Sequence, residues 1–382
     1  MRVAVTKGSL LVPPTYFALA HPRILAERMD FRFFVGAAHL ADPAIRGEFD
    51  VDDTTARVLP LADSWPVRRR EQLGALLTSS TARAIEGWNP DVLHQHFAYG
   101  SAAAVKAARR RRAPLLVTVH GGDAFVPLTP RSTRRPLGRP ALARMQRDVA
   151  AAYRSARRVL AVSEYIAGIA VRGGARADRV VVHYQGIDTD FFTPSADPAP
   201  EVPRVLFVGR LAETKGVLDL LGASTGLVSD LPHELVLVGD GPARAQIAEA
   251  EASHPHIRTT GSLTSDAVRD ELRRAHVLVL PTKVNGIARE AAGLVLLEAQ
   301  ACGVPVIAYA SGGTSEMLRD GDTGWLAPEA DVAALADRLR TSLIMSAQER
   351  RAMGERARAF VVADRSLARS AEQLAELYLE ES

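Results

Sequence analysis

The 382-residue chain has a single cysteine, Cys302, and only 5% aromatic residues. One thiol excludes an internal disulfide framework and suits a reducing compartment. It sits in the apolar run 296–307, where a buried structural thiol is the simpler reading than a reactive one. With few aromatics the core must be aliphatic, built from Ala, Val and Leu. Lysine is scarce: Lys7, Lys106, Lys215 and Lys283 are the only ones, so arginine carries nearly all the positive charge. The opening MRVAVTKGSLL holds no apolar stretch long enough for a signal peptide or a membrane span. A cytoplasmic protein is expected, with any membrane contact peripheral at the inner face. No aromatic residues interleave the basic stretches 109–112 and 131–139, which argues against nucleic acid. The first reads as a solvated helix end complementing the dipole. The second could meet an anionic membrane surface or a phosphate-bearing acceptor.

What is present is a soluble composition, 47% hydrophobic and 24% charged with a net charge of +3, in a chain long enough for two domains. Short apolar runs closed by Gly, His or Pro read as strands at 3–5, 31–35, 92–94, 115–119, 159–162 and 180–183. A second series follows at 205–208, 234–238, 257–260, 277–280 and 304–308. Between them lie helical stretches such as 102–112, 144–156 and 243–251. Alternation of strand and helix implies βαβ units and parallel sheets.

The series restarts in the middle, since Arg2 to Gly8 and Arg204 to Gly209 both read as a first strand running into a glycine turn. The segment 193–203 (TPSADPAPEVP) is the best linker. We therefore expect two doubly wound, Rossmann-like domains facing across a cleft, where open α/β sheets bind ligands. The expected division is 1–190, a linker at 191–203, 204–365, and an amphipathic helix in 366–382 that crosses back to the first domain.

The most informative segment is 289–305, REAAGLVLLEAQACGVP. In one continuous helix, Glu290 and Glu298 would lie about 12 Å apart. Gly293 favours another arrangement, with Glu290 in a loop and Glu298 one turn into a helix that starts near Gly293. The free N–H groups at such a start form an anion site for a diphosphate. The carboxylates flanking it can accept hydrogen bonds from sugar hydroxyls.

This segment resembles the E-x7-E motif of the large retaining glycosyltransferase family 4, also called group 1, which has the GT-B fold. Other stretches follow the family's order. Val208-Gly209-Arg210-Leu211 with Glu213 and Lys215 resembles its donor-phosphate segment. Leu237 to Pro242 and Thr260 to Leu263 resemble later landmarks of the same domain. In the first half, Asp91-Val92-Leu93-His94-Gln95-His96-Phe97 and His120-Gly121-Gly122-Asp123 resemble its paired histidine motifs. Val162-Ser163-Glu164 and Gly186-Ile187-Asp188 with Phe191 or Phe192 complete the set. The wording is closest to members that build exopolysaccharides of the colanic-acid type. One departure stands out. The glycine pair usual after the first strand is replaced by the loop Lys7-Gly8-Ser9 leading to Pro13 and Pro14.

The resemblance implies transfer of a sugar from a nucleotide-diphosphate sugar, UDP ahead of GDP, with retention and without a metal or other cofactor. The acceptor would be a small-molecule, oligosaccharide or lipid-linked hydroxyl. By the same resemblance Arg210 and Lys215 neutralise the diphosphate, Glu290 holds the donor sugar, Glu298 the ribose, and Leu263 lies near the base. Gly209, Gly293, Leu294, Val295 and Gly8 would line the donor. His120 would touch the donor sugar, which its place directly after the 115–119 strand supports independently. Asp123, His94 and His96 are acceptor-side candidates.

Each residue alone has a plainer reading, as a charge on a helix dipole, a solvated cation or a structural histidine. It is the ordered set that points to chemistry. A sugar-nucleotide epimerase, a glucan phosphorylase or a non-catalytic nucleotide-sugar binder would use a similar fold. A phosphorylase needs a cofactor-bearing lysine in the second half, where only Lys215 and Lys283 occur.

Overall fold

A computed structural model describes all residues except 13–16, 41–44, 46, 131, 133–137, 197–199, 285 and 287–288. The expected loop residues Pro13 and Pro14, part of the basic stretch 131–139 and part of the linker 193–203 fall outside the described residues. The chain forms two compact units. The first comprises Met1–Gln185 and Ser370–Ser382, the second Gly186–Arg369.

The first unit holds a seven-stranded sheet. Its strands are β1 (Arg2–Val12), β2 (Asp30–Leu40), β3 (Asp50–Asp53), β4 (Val92–His96), β5 (Leu115–Val119), β6 (Arg158–Ala161) and β7 (Val180–Val182). They lie in the order β3-β2-β1-β4-β5-β6-β7, and every pairing is parallel. β4 and β5 are buried at every position, as expected of central strands covered on both faces.

The second unit holds β8 (Arg204–Val208), β9 (Glu234–Val238), β10 (Ile257–Gly261), β11 (Val277–Leu280), β12 (Val306–Tyr309) and β13 (Gly324–Ala327). Their order is β10-β9-β8-β11-β12-β13, again all parallel. In each sheet the order reverses beside the first strand, between β1 and β4 and between β8 and β11. Ligands of doubly wound sheets bind at the carboxyl ends of the strands flanking this switch point.

Gly8 is not in a loop. β1 runs on past it, and Ser9 to Val12 pair with Ala37 to Leu40 of β2. The extension is held by burial of Leu10, and Gly8 keeps an ordinary backbone rather than a left-handed one. β3 and β13 add to the strands expected. β3 reads DVDD, an acidic edge strand with no apolar run to announce it. β13 has four residues, GWLA, too few for a periodic signal.

The chain passes between units at two adjacent points. Ile187 bridges Ser366, the Ile187 N–H donates to Arg365 O at 3.0 Å, and the Leu367 N–H donates to Ile187 O at 2.7 Å. The segment 191–203 belongs to the second unit. From Ser370 the helix Leu367–Glu381 belongs to the first, adding Ala371, Leu374, Ala375 and Tyr378 to its apolar core. Ser370 Oγ bonds His21 Nε2 at 2.9 Å, and Glu381 pairs with Arg157 and Arg158. Among the described residues no helix is long and apolar enough to cross a membrane.

Candidate active site

In the second unit, three loops meet at the carboxyl ends of β8, β9 and β11. After β8 the chain turns through Gly209 and Arg210 into a short 3-10 helix, Glu213–Lys215, closed by Gly216. Gly216 has φ +69°, and a Cβ there would lie 1.8 Å from Pro281 O. No other residue lets this turn sit directly on the loop that follows β11. The contact brings Lys215 to Glu290, with Nζ donating to Oε2. Thr282 Oγ1 donates to the same oxygen at 3.3 Å. Arg210 is exposed and makes no ion pair among the described residues.

Lys283 supports this arrangement from behind. Its Nζ donates to Asp219 Oδ1 at 2.8 Å, its backbone N–H donates to Thr214 O at 2.9 Å, and Tyr309 OH donates to Asp219 Oδ2 at 3.0 Å. Lys283 is thus a strut of the Lys215 turn. Sequence reasoning missed Thr282, Asp219 and Tyr309, which carry no motif. It also missed Gly312 and Gly313, where the Gly313 N–H donates to Glu290 O at 2.9 Å. The adjacent glycines in the sequence were the available signal.

The helix Leu294–Ala301 begins at Gly293, whose φ of 81° turns the chain into it and which offers no side-chain cap. The first N–H groups of a helix have no partner inside it, so this start, at Leu294 and Val295, suits an anion. Glu298 lies one turn in, on an element fixed by the buried Leu296, Leu297 and Ala299. Burial pushes its carboxyl up to about 7. Leu263, half-buried, follows β10, whose end meets the β9 loop through the Gly239 N–H donating to Gly261 O at 2.9 Å. The sequence-read donor residues of this half therefore follow the carboxyl ends of β8, β10 and β11 of one sheet.

In the first unit, β4 and β5 end in His96 and at His120. His96 Nδ1 and His120 Nε2 are 3.0 Å apart, with the rings stacked at 5.2 Å. Gln185 Nε2 donates to His120 Nδ1 at 3.1 Å, so in neutral His120 the Nε2–H donates to His96. Burial, helped by neighbouring imidazoles and Lys7, pushes His120 down to about 3, so it is neutral at physiological pH. Phe17 and Phe97 lie against its ring at 4.5 and 4.6 Å.

The expected acceptor-side residues are interior supports. Asp123 is fully buried and accepts from the N–H groups of His120, Gly121 and Ala98 at 3.0, 3.1 and 2.8 Å. It thereby shapes the loop that carries His120. His94 bonds Thr118 Oγ1 at 2.7 Å and Tyr378 OH, and His96 stacks between His94 and His120.

A cavity of about 300 Å³ opens beside them, between β1, β2 and the helices over them, lined among others by Lys7, Gly8, Glu71, Tyr99, Arg144 and Asp148. Burial pulls Lys7 down to about 8, opposed by Glu71, which accepts from Ser9 Oγ at 2.7 Å. Burial also raises Asp148.

Two family models match this chain, "Glycosyltransferase Family 4" over residues 29–191 and "Glycosyl transferases group 1" over 189–360. A D-inositol 3-phosphate glycosyltransferase of Frankia alni is 31% identical over 306 residues, 71% of each chain. The chain belongs to this glycosyltransferase family. Another relative, the N-acetyl-alpha-D-glucosaminyl L-malate synthase of Bacillus anthracis, is 34% identical over 155 residues, 40% of this chain. The match spans only 39% of that relative's length, and 57% of an Arabidopsis thaliana sulfoquinovosyl transferase. The Escherichia coli putative colanic acid biosynthesis glycosyltransferase WcaL is 26% identical, over 80% of this chain and 75% of its own. Among solved structures, Anabaena Alr3699/HepE in complex with UDP superposes over 100% of both chains with a TM-score of 0.74 at 18% identity. That likeness shows the GT-B fold.

Proposed function

We propose that the chain transfers a sugar, with retention, from a nucleotide-diphosphate sugar to a hydroxyl of a small polar acceptor. The observation that carries this reading is the convergence of Lys215, Glu290 and the exposed Arg210 on one sheet end with the uncapped helix start at Gly293. The diphosphate would lie at Leu294 and Val295, facing Gly209, with Arg210 and Lys215 on its oxygens. Glu298 would accept from the ribose hydroxyls, and Leu263 would face the base. Lys215 already pairs with Glu290, so donor binding redistributes that ammonium between the carboxylate and the phosphate. UDP is the favoured nucleotide, as in the solved HepE complex.

In the reaction the bond from the anomeric carbon to the diphosphate oxygen breaks and a bond to the acceptor oxygen forms on the same face. The acceptor's proton passes to the departing phosphate. Negative charge grows on the leaving group, and fixed cations there stabilise the transition state. Neutral His120 would meet the donor sugar by exchanging one of its two ring bonds, to His96 or Gln185.

The cavity beside Lys7 would hold the acceptor. Its volume suits a monosaccharide-sized molecule rather than a long glycan. Lys7 and Arg144 would meet an anionic group of the acceptor, and Glu71 and Asp148 its hydroxyls, in keeping with the L-malate and D-inositol 3-phosphate in the relatives' names. The test is to incubate the chain with UDP-glucose, UDP-N-acetylglucosamine or GDP-mannose, with and without L-malate or inositol 3-phosphate, and to follow nucleotide diphosphate release. Release that needs both substrates supports transfer. Conversion of the donor to an isomer without acceptor would show an epimerase, and donor binding without turnover across a broad acceptor panel would show a binding protein.

A further inference from the structure

A second recess in the Gly186–Arg369 unit, of about 790 Å³, opens where neither Lys215 nor Glu290 reaches. It lies at the amino-terminal ends of β11 and β12, the opposite end of the sheet from the Lys215 turn. Its apolar wall includes Pro194, Ala275, Val304 and Pro305. Arg273, Arg350, Arg351 and Arg358 line it as well, against one lining carboxylate, Glu355.

Elsewhere in this unit Arg204 and Arg258 are matched by Glu234 and Glu271. The arginines here are not matched in that way. Arg358 donates to backbone carbonyls, those of Phe192 at 3.0 Å and of Ala301. Arg273 donates to Thr193 O at 2.8 Å and Thr193 Oγ1 at 2.6 Å, with Asp270 at 3.7 Å. Arg350 and Arg351 have no ion-pair partner among the described residues. Glu349 is engaged in its own helix cap, accepting from the N–H and Oγ of Ser346. The helix Ala347–Asp364 opens at the recess with its positive end. The excess charge is felt nearby. His276 is pushed down to about 4 by burial together with Arg350 and Arg204, and burial lowers Arg350.

We propose that this recess is a second anion site that takes a phosphate-bearing small molecule, separate from the donor site. Guanidinium forks match phosphate oxygens in pairs. The volume is that of a small-molecule site, and the apolar wall suits the uncharged body of such a ligand. The lining holds no aromatic residue for base stacking, so a nucleic acid is a poor fit.

The test uses the full chain saturated with UDP, so that the donor site is filled, titrated calorimetrically with glucose 6-phosphate. Saturable one-site binding is expected, weakened at least tenfold in Arg350→Ala/Arg351→Ala and unchanged in Lys215→Ala. Both arginines lack carboxylate partners, so the double variant should fold, which its UDP affinity and melting curve check. Arg351→Glu, at an exposed position, gives a second reading if it does not. A parallel arm offers phosphatidylglycerol vesicles. Absence of binding to the UDP-saturated chain, binding insensitive to both variants, or arginine-dependent binding to vesicles with none to glucose 6-phosphate would each overturn the proposal.

Discussion

Lys215, Arg210 and Glu298 all face the proposed donor, yet they act at different stages. In the proposed site Lys215 and Arg210 would oppose charge that appears as the sugar–phosphate bond breaks. Their removal should therefore lower kcat, by about 10²–10³ each if they behave as other fixed donors to a developing anion do. In the same proposal Glu298 would hold the ribose equally before and during bond breaking, so Glu298→Gln should raise donor KM and leave kcat nearly unchanged. Steady-state kinetics with one donor decides, and the reverse pattern would interchange the roles. Glu298 also gives a pH signature. Its carboxyl sits near 7 in the free chain, and only the ionised form accepts from two hydroxyls without giving up a lone pair. Donor binding then lowers its pKa, so affinity for UDP-glucose should be flat above about pH 7 and weaken up to tenfold per unit below it. For folding the sign is opposite. A raised carboxyl stabilises the unliganded chain at low pH and loses that contribution as pH climbs through about 7. Calorimetry between pH 5.5 and 8.5 tests the binding claim, since the diphosphate of UDP-glucose does not titrate there, and Glu298→Gln should abolish the slope.

The helix Leu367–Glu381 is the element whose role is most exposed to mutation. Tyr378 is wholly buried and packs on Phe31, while its hydroxyl meets His94. Tyr378→Ala should cost about 3–5 kcal/mol, read as a lower denaturation midpoint of the full chain. His94 stacks on His96, which bonds His120, so the same change should also loosen the His120 loop and lower activity at temperatures where the variant is still folded. How legible such elements are depends on where their stability comes from. β5, β9 and β11 coincide with runs read from the sequence, because strands buried on both faces must be continuously apolar. β3 was invisible, since an acidic edge strand is held by pairing with β2 and by partners of its carboxylates elsewhere in the chain, such as Arg32 for Asp50 and Arg70 for Asp53. Gly8 was misread because a glycine after a short apolar run signals a turn, whereas the pairing of Ser9 to Val12 with β2 is a tertiary effect. At the site, Glu290, Gly293 and Glu298 could be placed on loop and helix from their spacing alone. The burial of Asp123, His94 and His96 could not, because a polar residue inside a core is specified by distant partners such as Ala98 and Tyr378.

For the whole molecule the question is what supplies positive charge when a nucleotide diphosphate departs. In the proposed site that charge is covalent. Arg210 and Lys215 stand on a turn locked by Gly216, and the helix start at Gly293 adds the partial charge of unpaired N–H groups. The lysine is held ready by Glu290 and, through Lys283, Asp219 and Tyr309, by the rest of the sheet. Preorganised charge of this kind needs no reorganisation as the bond breaks, and a divalent ion would compete with Lys215 and Arg210 for the same phosphate oxygens. Activity in excess EDTA should therefore stay within about twofold of the untreated chain, and added Mg²⁺ or Mn²⁺ should not raise it further. The same assay on Lys215→Ala sharpens the point, because a metal-assisted enzyme would keep most of its rate without the lysine. Complete loss in EDTA, restored by either ion, would place the catalytic charge on a metal and remove Lys215 and Arg210 from the role given to them.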